Sequence, residues 1–178
     1  MALLEIRKFP DPILRKVAEP VTDFGPALGR LVADMAEAMY LEPGVGLAAP
    51  QVGISLRLFI ADGAIFGFTD GRTLVVANLE ILSAEGEQTG EEGCLSFPGV
   101  YEPVTRPLRC RIRAQGLDGA AFEMSCEELA CRAIFHELDH LEGRLLIDYL
   151  SPLKRQLVRK EAKKGFPNAG KGQHAAAG

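Results

Sequence analysis

The chain predicts an α+β fold, a mixed, mostly antiparallel sheet packed around a central helix, with further helices toward its N- and C-terminal ends. Three observations lead there. Helix-start signals or helical apolar spacing occur early, near residue 125, and again after residue 151. From Arg57 to about Ser125 the pattern changes to short aliphatic runs divided by glycine and proline. The intervals between those runs read as loops and hold no regular crossover helix, which favours antiparallel pairing.

Taken in order, Asp11-Pro12-Ile13-Leu14-Arg15 reads as a capped short helix, with aspartate accepting backbone N–H bonds and proline pre-set for the first helical position. After the Gly25-Pro26 break, Leu28, Leu31, Val32, Met35 and Met39 recur on one helical face. The two methionines read as core filler. Leu58-Phe59-Ile60, Leu74-Val75-Val76 and Leu108-Cys110-Ile112 are the strand candidates, and Leu117-Asp118-Gly119-Ala120 reads as a hairpin turn. Ser125-Cys126-Glu127-Glu128 matches a capping box, so the central helix is expected from Ser125 to Gly143, which can end it in a left-handed conformation. Ser151-Pro152 opens a last helix carrying Lys154, Arg155, Arg159, Lys160, Lys163 and Lys164. Residues 1–166 are expected to form one domain, and the Gly/Ala-rich residues 167–178 a disordered tail.

With 178 residues, 47% hydrophobic and 25% charged, the chain can bury a core without staples. Cys94, Cys110, Cys126 and Cys131 show no dense framework, which favours free thiols or metal thiolates in a reducing compartment. The start lacks a charged and then apolar leader, and no apolar run approaches the ~20 residues of a membrane span, so a cytoplasmic location without membrane contact is expected. Net charge is −4, yet residues 154 to 178 hold seven Lys/Arg against one acid, so an anionic partner would meet that end.

Phe135-His136-Glu137-Leu138-Asp139-His140 carries the most chemistry. On a helix, positions i and i+4 share a face, so His136 and His140 can grip one divalent ion while Glu137 reaches its water as a base. Two of the three histidines fall in this pattern, and His174 is a bystander in the tail. The central helix is thereby a metal-binding one. A catalytic site of this kind commonly takes a third protein ligand. Cys94, in Glu92-Gly93-Cys94-Leu95-Ser96, is the best candidate, because Cys126 and Cys131 fall at the expected helix start and Cys110 in a buried strand.

Gly44-Val45-Gly46-Leu47-Ala48-Ala49-Pro50-Gln51 has little side-chain bulk before an amide, so another backbone can approach and Gln51 can donate to a developing oxyanion. It lacks the lysine and hydroxyl of a phosphate loop, and its spacing misses the dinucleotide fingerprint. Helical spacing places Leu129, Arg132 and Ala133 on the face one and two turns before His136, where they would line a side-chain pocket with Leu95 and Glu92. Core packing explains Leu129 and Ala133 equally well.

These three segments, in this order, resemble the peptide deformylase family, and Pro10 to Arg15 is similar to its opening; the resemblance covers about residues 3 to 164. It implies Cys94, His136 and His140 as metal ligands, Glu137 as general acid and base, and Gln51 with the Leu95 N–H as oxyanion donors. It also implies an N-formylmethionyl nascent peptide lying as an added strand against Val45, Gly46 and Gly93, with the side-chain pocket taking methionine. The expected products are formate and a free amino terminus. Iron(II) is the native ion the resemblance implies, with zinc, nickel or cobalt able to substitute. It further suggests an Arg106–Asp139 pair, and ribosome contact through the basic last helix. Two other readings stay open, a zinc endopeptidase sharing the histidine motif and an idle ribosome-docking module.

Overall fold

In the computed structural model, which describes residues 3–166, the early aspartate–proline pair behaves as its chemistry dictates. Asp11 accepts from the Ile13 N–H at 3.0 Å and starts a 3-10 turn at Pro12–Arg15. Helix α1 spans Pro26–Leu41, with proline in its first turn, and buries Leu28, Val32, Met35, Ala38 and Met39. Met35 and Met39 are completely buried, in keeping with their expected part in the core.

Strands β1 (Gly46–Ala48), β2 (Leu58–Asp62), β3 (Thr73–Glu85), β6 (Arg109–Gln115) and β7 (Ala121–Glu127) form an antiparallel sheet in the order β1-β2-β3-β6-β7. Strands β4 (Gln88–Cys94) and β5 (Phe97–Arg106) pair only with each other in a second sheet. The run Leu58-Phe59-Ile60-Ala61 is buried throughout because both faces of β2 are covered. Leu58 and Ile60 pack with Met35 and Leu47 in one cluster, while Phe59 packs with Val76, Ile112 and Ile134 in another. Each such side chain contributes about 2 kcal/mol.

Helix α2 (Glu128–Leu141) lies centrally, touching β1, β2, β5, β6 and β7. A third cluster joins Leu14, Phe97, Val104 and Leu146 to Val158 on α3 (Pro152–Lys163), whose N-cap Ser151 accepts from the Lys154 N–H. The β6–β7 hairpin turns through Gly116 to Ala120 as expected. At β3, Asn78 adopts φ +53 where the register with β6 shifts, and its side chain meets both backbone groups of Val21 and the Gln115 amide. Asparagine tolerates this conformation because its short polar arm finds local partners.

Two expectations need correction. Ser125, Cys126 and Glu127 belong to β7, and α2 begins at Glu128 with no side-chain cap. Their backbones are committed to β6, with Cys110 opposite Cys126 and the Glu128 N–H on Leu108 O, so the capping box has no helical turn to close. The stretch 88–106, read as loop between the strand candidates, is the β4–β5 hairpin. At the other end, Gly143 does take φ +73, and a Cβ there would collide with the Arg15 carbonyl. The tail at 167–178, His174 included, lies outside the described residues.

Candidate metal centre

Two structural units meet at the centre. Helix α2 carries His136 and His140 on one face, their ring centroids 5.1 Å apart. Strand β4 ends on Cys94, whose Sγ lies 3.4 Å from His140 Nε2. Ligand atoms of Cys94, His136 and His140 all fall within 4.8 Å of one another, the only such His/Cys/Asp/Glu group among the described residues. Each of the three residues is buried.

The polar atoms left over indicate what the cluster can accept. His136 Nε2, His140 Nδ1 and Glu137 Oε2 are buried without a hydrogen-bond partner among the described residues. Burying such atoms unpaired costs free energy, and a cation among soft thiolate and imidazole donors would repay it at His136 Nε2. Burial opposes ionisation of Cys94, but the charges of His140 and His136 and their hydrogen bonds outweigh it and bring the thiol down to about 5. Burial likewise opposes charge on His136, yet Cys94 and Glu92 raise it well above the usual imidazole range. These shifts are one attraction seen from both partners, a thiolate beside an imidazolium whose proton a metal would displace.

Glu92 supplies the outer support. His136 Nδ1 donates to its Oε2 at 3.0 Å, leaving Nε2 with a lone pair for a ligand. Arg106 donates to both carboxylate oxygens at 2.9 Å, and Arg132 Nη1 to Oε1 at 2.9 Å. Burial pushes Glu92 up, but the bonds from Arg106 and His136 hold it at about 2. Arg106 also donates to Asp139 at 2.8 Å, so the expected pair is present and buried. Tyr149 donates to the same Asp139 oxygen at 2.5 Å.

Glu137 is 1% exposed, and burial drives its carboxyl up to about 7 against the opposing pull of both histidines. A Cβ on Gly46 would lie 2.5 Å from Glu137 Oε1, so only glycine lets the carboxylate close on this strand. Gln51 is completely buried. Its Oε1 accepts from the Ala48 N–H at 3.0 Å, which turns Nε2 toward Cys94 Sγ at 3.6 Å and Ser96 Oγ at 3.2 Å.

Glu92 and Cys94 therefore meet the α2 histidines, Gln51 meets the thiol and Gly46 packs on Glu137, with Val45, Gly93 and Leu95 as their chain neighbours. Ala133 is buried on α2, whereas Leu129 is 40% exposed in the helix's first turn. The charged ends of Arg132 and Glu92 are engaged with each other. Two participants were not singled out in the sequence. Ser96 accepts from Gln51, and Lys8 Nζ donates to Leu95 O at 2.8 Å, bracing the turn that follows Cys94. Ser96 had a signal, since it closes the cysteine segment; Lys8 had none.

The family model described as polypeptide deformylase matches residues 3–156. The peptide deformylase of Acidobacterium capsulatum is 49% identical over 164 residues, covering 92% of this chain and 96% of that protein. Among solved structures, the enzyme of Legionella pneumophila superposes with a TM-score of 0.84 at 44% identity, covering 92% of this chain and 95% of its own. That of Thermotoga maritima gives 0.79 at 42%, covering 85% and 100%.

Proposed function

The chain belongs to the polypeptide deformylase family, and from this premise we propose how its own residues perform the family's reaction. It is an enzyme that removes the N-formyl group from nascent polypeptides. In our reading Cys94, His136 and His140 hold one divalent ion, Glu137 is the base, and Gln51 Nε2 with the Leu95 N–H receives the oxyanion. The observation that carries this reading is the convergence of three ligand atoms within 4.8 Å beside a buried carboxylate.

When bound, the ion supplies Lewis-acid chemistry, making water more acidic and drawing charge from the formyl oxygen. Glu137 takes the proton from water. Its carboxyl, at about 7, is matched to giving that proton later to the departing amine. Gln51 needs no reorientation to stabilise the tetrahedral oxyanion, because Ala48 already fixes its amide; one such donor is worth on the order of 3 kcal/mol. Iron(II) is the native ion we propose, with zinc, nickel or cobalt as substitutes, since one thiolate and two imidazoles suit all four.

Strand β1 is an edge of the larger sheet and β4 belongs to the smaller one. A formylmethionyl peptide fits this arrangement as an inserted strand, bonding to Val45 and Gly46 on one side and Gly93 on the other. Leu129, Ala133 and the stems of Arg132 and Glu92 are the proposed walls for the methionine side chain. A cytoplasmic location accords with a nascent-chain substrate, and no helix among the described residues is long and apolar enough to cross a membrane. The catalytic unit is residues 1–166.

Ribosome contact through α3 rests on Arg159, Lys160, Lys163 and Lys164. Lys154 is paired with Glu102, and Arg155 bonds the carbonyls of Leu150 and Asp148. Salt-dependent binding to ribosomes, lost when those four become Ala, is the expected result.

Metal analysis beside a formate assay tests the central reading. Glu137→Ala should keep stoichiometric metal and lose turnover, and Cys94→Ala should lose the metal. Full metal in the cysteine variant would point to another ligand, and internal peptide cleavage without formate would overturn the reaction. Anaerobic purification with elemental analysis decides the ion.

A further inference from the structure

The proposed ligands come from units that share no ladder. Cys94 belongs to the β4–β5 hairpin, which pairs only with itself, while His136 and His140 ride on α2. The separation of sulfur from nitrogen therefore depends on side chains that cross between hairpin and helix.

Two arginines cross in opposite directions. Arg106, at the end of β5, reaches Asp139 on α2. Arg132, 5% exposed on α2, reaches the hairpin, where its Nη1 lies 2.9 Å from Glu92 Oε1, 3.0 Å from Val104 O and 3.2 Å from Gly90 O. Gly90 and Val104 face each other in the β4–β5 register, so one guanidinium holds both strands at a single rung. That rung lies four residues before Cys94, and Arg132 lies one helical turn before His136. Space for the group is tight, since a Cβ on Gly90 would stand 3.1 Å from Arg132 Nη2.

We infer that Arg132 is a positioning residue of the metal centre: its guanidinium fixes the β4–β5 hairpin against α2 and thereby sets the separation of Cys94 from His136 and His140. This deepens the reading that those three hold the ion, and rests on it. All three bonds come from the Nη1 amino group, whose two N–H bonds are shared among a carboxylate oxygen and two carbonyls of different strands. The charged end of Arg132 is thus occupied within the protein, whatever its stem contributes to the methionine pocket.

The test uses cobalt(II)-loaded full-length protein. Arg132→Met keeps the length and removes the donors, and Arg132→Lys keeps the charge. In Arg132→Met the thiolate-to-cobalt absorption band should shift, and cobalt should pass to a chelator on the order of 10-fold faster than in wild type, with Arg132→Lys recovering part of the loss. Gly90→Ala, which displaces the guanidinium without removing it, should move band and rate the same way and serves where Arg132→Met does not fold. A wild-type band and release rate in Arg132→Met, even with a lowered Tm, would reduce Arg132 to a fold-stabilising residue and overturn the inference. So would a raised KM for formylmethionyl peptides with band and rate unchanged, which would make it solely a pocket wall. Failure of the wild type to take up one cobalt per chain would instead remove the ligand assignment, and the inference with it.

Discussion

Glu92 Oε2 accepts a hydrogen bond from His136 Nδ1 at 3.0 Å, and this single contact decides which imidazole nitrogen is left for a ligand. The carboxylate can do so because Arg106 and Arg132 occupy the rest of its acceptor positions in a site with no solvent exposure.

Replacing Glu92 with Gln should weaken metal binding by roughly 10- to 100-fold, because the neutral amide orients His136 less firmly. It also strands buried guanidinium charge, so stability should fall by about 3 kcal/mol or more. Chelator competition and denaturant unfolding measure the two effects separately.

Acid should destabilise the metal-free protein through the same group. Glu92 is held at about 2 in the folded chain, below the ordinary glutamate value near 4.5, so its contribution is complete above that ordinary value and is lost as pH falls toward 2. The shift corresponds to about 3 kcal/mol. Unfolding midpoints between about pH 5 and pH 2 should show this slope in wild type and a reduced one in Glu92→Gln; equal slopes would assign acid lability to other groups.

Gly46→Ala should cripple turnover while sparing the metal. The new methyl would press on Glu137 Oε1, Cδ and Cγ, and displacing a base by about an ångström can cost on the order of 100-fold in kcat. Single-turnover formate release with metal content decides it. A fully active variant would separate Glu137 from this strand.

Gln51→Leu should lower kcat by roughly 100- to 1000-fold with little change in KM, as expected for a donor whose bond strengthens in the transition state. The Ala48 N–H loses its partner as well, costing about 1–3 kcal/mol of stability. An effect on KM alone would place Gln51 in ground-state binding.

Much of the centre was legible because its signals are local. The histidine spacing needs only a helix, and the loop before Gln51 announces itself through small residues. The β4–β5 hairpin was hidden because Gln88-Thr89-Gly90-Glu91-Glu92 offers no apolar run; these polar strands owe their order to the pairing with β5 and to Arg132. The joint role of Arg106, Arg132, Asp139 and Glu92 was hidden too, since its members lie 14, 33 and 40 residues apart; the resemblance suggests only the Arg106–Asp139 pair, and helical spacing only a pocket wall at Arg132. The helix start was misplaced at Ser125 because a capping pattern cannot reveal that its backbone is already spent on a neighbouring strand.

Glu137 is buried, and so is the strand that packs against it, Gly46 to Ala48. Only a slender, extended chain end can thread that far, and a terminus already tucked into a finished globule is out of reach. Burial of the base thus acts as a clock, restricting processing to the interval before the client polypeptide folds over its own first residue.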